Sequence, residues 1–68
     1  MGDKELVKEL KALLKQEGCY FVRQGKGDHE IWYSPSTDRN FTVDNSIKSR
    51  HLANKILKQQ AGIRNYKF

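Results

Sequence analysis

The sequence predicts an α+β fold: a two-layer sandwich with two helices on one face of a three-stranded antiparallel sheet. The prediction rests on an amphipathic helical stripe near the start and a second one near the end. Between them lie short aromatic and β-branched segments separated by turn residues. Neither helix can bury its apolar stripe alone, so both are expected on the same sheet face.

Residues 3 to 17 read as the first helix. Leu6, Val7, Leu10, Leu13 and Leu14 recur at helical spacing, with Asp3 placed to cap the start and Gly18 the end. Lys4, Lys8, Lys11 and Lys15 fall on the other side and read as a solvated face. From Cys19 to Gln24 the pattern changes: Tyr20 and Val22 alternate with Phe21 and Arg23, as in a strand. Gln24 to Asp28 contains two glycines and reads as a turn. His29 to Ser34 forms the second strand, ended by Pro35, and Ser36 to Asn40 a polar connection. Phe41, Thr42 and Val43 make a short third strand, and Asp44 to Lys48 is irregular. The second helix runs from about Ser49 to Ala61, with Leu52, Ala53, Ile56 and Leu57 as its apolar face and Gly62 closing it.

The 68 residues fit a single domain, 1–68, whose last five residues form a tail that either docks back or frays. A chain this short buries only about 60% of its extended surface, which leaves a thin core. Cys19 is the one cysteine and is expected to fill a small space in that core. The lone cysteine and the absence of a secretory-type apolar start favour a reducing, cytoplasmic setting. Thirteen Lys and Arg stand against eight Asp and Glu, a formal charge of +5. That balance points to a polyanionic partner without specifying any chemistry.

The residues most suited to chemistry lie in Gly25-Lys26-Gly27-Asp28-His29-Glu30-Ile31-Trp32. Imidazole is the side chain that both takes and gives a proton near neutral pH. His29 follows a glycine turn in which backbone can approach a phosphate, and Lys26 can neutralise a phosphoryl oxygen. Cleavage of RNA needs a base for the ribose 2′-hydroxyl, an acid for the leaving 5′-oxygen and charge stabilisation at phosphorus. The plainer reading is a hydrogen-bonded strand histidine beside an ordinary hairpin turn. Asp28 and Glu30 flank His29, but strand neighbours point to opposite faces, which disfavours direct help from either. Trp32 reads as core, and Tyr33 as the better base-stacking candidate on the face of His29. Lys48, Arg50 and His51 cluster where the second helix begins and suit a phosphate clamp. No cysteine or carboxylate spacing suggests a metal site.

At this point the chain resembles a known family. Gly-Lys-Gly-Asp-His-Glu-Ile-Trp, then Phe41-Thr42-Val43, then Ile56-Leu57-Lys58-Gln59-Gln60-Ala61-Gly62-Ile63 is similar to the HicA toxins of bacterial toxin–antitoxin pairs. The resemblance covers about residues 5 to 63. It implies a fold like the double-stranded RNA-binding domain and a metal-independent mRNA interferase activity, with no metal or organic cofactor expected. It further implies a single catalytic histidine at His29 and a HicB antitoxin that covers the site. The chain departs from the family pattern twice. Asp28 stands where the family most often has Ser, and Asp44-Asn45-Ser46 stands where it usually continues Pro-x-His.

The resulting expectation is an endoribonuclease toxin acting on mRNA. His29 is its acid/base, Lys26 and Gly27 meet the scissile phosphate, and Lys48 and Arg50 hold backbone phosphates. Asp28, Tyr33 and His51 are supporting candidates, the last two for a second proton. The rival readings are a non-catalytic RNA-binding module of the same fold and a purely structural component of an antitoxin complex.

Overall fold

The computed structural model describes residues 4–64, 66 and 68. Its elements follow in the order α1 (Lys4–Gln16), β1 (Tyr20–Gln24), β2 (His29–Ser34), β3 (Arg39–Asp44) and α2 (Arg50–Lys55), with a π-helical turn, Ile56–Gln60, continuing α2. The strands form one antiparallel meander in the order β1-β2-β3. Leu6, Val7, Leu10 and Leu14 of α1 share one core with Ala53 and Leu57 of the second helical segment and with Trp32, Phe41 and Val43 of the sheet. The fold is therefore the expected α+β sandwich, with both helices on one side and the other sheet face open.

The helix ends follow their residues. Asp3, the expected cap of α1, lies outside the described residues. At the other end the Cys19 N–H donates to the Leu14 carbonyl (2.9 Å) and the Gly18 N–H to that of Lys15 (3.1 Å). This pattern closes a helix through a residue at positive φ, here Gly18. The Ser49 hydroxyl accepts from the His51 N–H at the start of α2. Cys19 is buried, and burial pushes its thiol pKa up, against the opposing hydrogen bond with Ser34; it is a core filler.

Four details differ from the sequence reading. The third strand extends beyond Phe41–Val43, because Arg39, Asn40 and Asp44 also pair, opposite Ser34, Tyr33 and His29. Polar side chains are no obstacle on a strand with one solvated face. The second helix is α-helical only to Lys55. The π turn then carries the chain on to a buried Ala61, whereas Leu52, expected in the apolar face, is 45% exposed because α2 turns Ala53 rather than its neighbour to the core. In β1 a bulge at Val22 puts Tyr20 opposite Tyr33 and Arg23 opposite Ile31. Both residues thus share the open face, which simple alternation would not give. Lastly, Lys11 is drawn out of the solvated lysine row by a 3.0 Å ion pair with Glu30. At the C-terminal end Phe68 packs partly buried on the core, its backbone bonded to the Asn54 side chain.

Candidate active site

The β1–β2 turn is built to hold one orientation. The Gly25 N–H donates to the His29 carbonyl (2.8 Å) and the His29 N–H to that of Lys26 (2.9 Å). The Gln24 side-chain amide donates to the carbonyls of Gly27 (3.1 Å) and His29 (2.9 Å). Gly27 stands at φ +55°, a conformation that side chains disfavour. From the other side, the Asn45 N–H (2.9 Å) and its side-chain amide (2.8 Å) both donate to the Asp28 carbonyl. The backbone entering His29 is thus pinned by β1 on one side and by the segment after β3 on the other.

His29 opens β2 on the open sheet face, with its side chain half exposed. Register places it opposite Asp44, and its Nε2 lies 3.6 Å from Asp44 Oδ2. That is an ion-pair distance, longer than a hydrogen bond, and catalytic contacts of this kind often shorten only when substrate binds. The second Asp44 oxygen, Oδ1, accepts from the Ser46 hydroxyl (2.6 Å) and the Ser46 N–H (2.8 Å). These two bonds, aided by the attraction of His29, hold the Asp44 carboxyl below its usual range despite slight desolvation. An anchored carboxylate beside an imidazole can fix the orientation of the ring.

The other sequence candidates divide by position. Lys26, Gly27 and Asp28 lie in the turn directly before His29, all exposed. Glu30 points into the helix layer, where it accepts from Lys11 Nζ (3.0 Å) and Trp32 Nε1 (2.9 Å), as period two requires. Trp32 itself is core, 2% exposed. Tyr33 shares the face of His29 at the far end of β2, and its hydroxyl donates to Asp38 Oδ1. That bond raises the Tyr33 pKa and directs its hydroxyl toward the β2–β3 loop. Lys48, Arg50 and His51 are exposed around the start of α2. Among the described residues, no hydrogen bond or ion pair joins them to His29.

Sequence reasoning missed Asp44, assigned to the irregular stretch after a short third strand. The signal was available only through register. A hairpin that pairs Ser34 with Arg39 must bring Asp44 opposite His29.

Residues 7–63 match the family model described as the HicA toxin of bacterial toxin–antitoxin. The chain belongs to the HicA toxin family. Comparison with curated proteins and with solved structures returned no match. The HicA match includes all three strands and the second helical segment, and therefore both His29 and Asp44. A toxin of this family implies an antitoxin partner. Among the described residues no cluster of three or more His, Cys, Asp or Glu could hold a metal ion, and no helix is long and apolar enough to cross a membrane.

Proposed function

We propose that this HicA-family chain is a cytoplasmic mRNA interferase, a metal-independent endoribonuclease inhibited by a HicB antitoxin. The observation that carries the reading is the half-exposed His29 facing an anchored Asp44 across the open sheet, one turn from Lys26. Once Asp44 closes to accept from Nε2–H in the substrate complex, the Nδ1 lone pair is the one left to act as base. It takes the proton of the ribose 2′-hydroxyl, the 2′-oxygen attacks phosphorus and the bond to the 5′-oxygen breaks. The 5′-oxygen collects a proton from the imidazolium or from water, leaving a 2′,3′-cyclic phosphate and a 5′-hydroxyl. Lys26 and the Gly27 backbone stabilise charge on the phosphoryl oxygens, while Lys48 and Arg50 hold phosphates further along the strand.

The test is cleavage of an unselected mRNA by purified chain. Cleavage should persist in EDTA and fall by about 10²–10⁴-fold in His29→Ala. It should also stop when the nucleotide on the 5′ side of the cut is 2′-deoxy. Asp44→Asn should lower kcat roughly ten- to a hundredfold with KM little changed, since it orients the base without holding substrate. Cleavage by His29→Ala at the wild-type rate would sink the mechanism. RNA binding without cleavage by the folded wild type would favour the binding-module reading.

A further inference from the structure

The open sheet face carries more than the histidine. Its pairing makes three rows: Tyr20, Tyr33 and Asn40; then Arg23, Ile31 and Thr42; then His29 and Asp44. The two tyrosine rings lie 5.3 Å apart between centroids, tilted by 35°, and Tyr20 remains 55% exposed. The Tyr33 hydroxyl donates to Asp38, which ties the inner ring to the β2–β3 loop, and the outer ring leans on it. Arg23 adds a cation in the adjacent row, and Lys26 stands in the turn beside His29.

We propose that this face is a stacking platform for unpaired RNA bases, with Tyr20 and Tyr33 as its seat. The inference rests on the ribonuclease reading and adds the substrate class: single-stranded rather than duplex RNA. A base offers its π-face to an aromatic ring only when it is not stacked within a helix, and sheets that present aromatic rings read single strands in this way. Charge favours the same occupant, since the chain carries +5 and Arg23 lies one row from the tyrosines. Tyr33 lies four residues along β2 from His29, about 13 Å at ~3.3 Å per residue. A base seated on the tyrosines is therefore not the nucleotide being cut but a neighbour, and the platform sets the position of the cut relative to an unpaired base. Stacking tolerates any base, so the selection is for strandedness before sequence.

The test measures binding by fluorescence anisotropy in the full chain carrying His29→Ala, so that RNA survives the assay. The probes are an unstructured oligouridylate and an RNA duplex of equal length. Adding Tyr20→Ala should weaken oligouridylate binding roughly tenfold, within the range for one lost base-stacking contact, and leave duplex binding unchanged. The dependence of affinity on salt should keep its slope, because no phosphate contact is removed. Tyr20→Phe should bind like its parent, and unchanged thermal melts would show that the exposed substitutions leave the fold intact. Equal oligouridylate affinity with and without Tyr20→Ala, or a preference for duplex, would overturn the proposal. So would a loss confined to antitoxin binding, which would assign the face to a protein. Cleavage plays no part in this readout, so its failure is separate from failure of the ribonuclease reading.

Discussion

Two carboxylates near the histidine motif have opposite tasks, set by the face each occupies. Asp44 lies on the open face with one oxygen locked by Ser46 and the other turned to His29. Glu30 lies on the helix face, bridging Lys11 and the Trp32 indole. Partial burial raises the Glu30 pKa, but the hydrogen bonds from Trp32 and Lys11 outweigh it and bring the group below its ordinary 4.5. A depressed folded-state pKa means this contribution to stability is complete above about pH 4.5 and is lost as pH falls through the folded value. Chemical denaturation as a function of pH should show that acid loss, and Glu30→Gln should flatten it. Glu30→Leu should cost about 1–3 kcal/mol at neutral pH, because the buried Trp32 N–H loses its acceptor. Residue identity alone did not separate the two carboxylates. Period two placed Glu30 away from His29 correctly, whereas Asp44 emerged only with the pairing of β3.

At the scale of elements, the segment Asp44-Asn45-Ser46 is where the chain departs from the Pro-x-His usual in proteins it resembles. In this chain the same three residues supply the His29 partner, the clamp on the Asp28 carbonyl and the lock on Asp44. The departure therefore coincides with the support of the site. The end of the second helical segment depends on a different fit. Gly62 stands at φ +73°, and a Cβ there would lie 2.9 Å from Thr37 Cγ2 in the β2–β3 loop. Gly62→Ala combines left-handed strain with that clash and should destabilise the chain by about 1–2 kcal/mol or more, read from the urea midpoint. Helix stripes and turn glycines made most elements legible in advance. The bulge at Val22 and the π turn were not, because both are single-residue offsets in hydrogen bonding that leave composition unchanged.

For the whole molecule, the net charge of +5 is what the proposed ribonuclease reading would use to hold RNA. Lys26, Lys48 and Arg50 as phosphate contacts would give a log–log salt slope of about −2 for single-stranded RNA. Removing Lys48 or Arg50 should each reduce the slope by about 0.7, while a slope unchanged in both variants would remove them from the interface. Lys4 and Lys8 border a groove with Asn45, so positive charge also reaches the supports of the turn from the helix layer.

The sequence by itself determined the α+β class, the order of the elements, the helical stripes that build the core and the exposed glycine turn before His29. These are local properties, set by apolar spacing and by the backbone freedom of a few residues. Only the tertiary structure decided that Asp44 faces His29, that Arg23 joins Tyr20 and Tyr33 on the open sheet, and that Leu52 is left outside the core. Each depends on how one segment is registered against another, and register is fixed by the packing of the whole sheet and its helices.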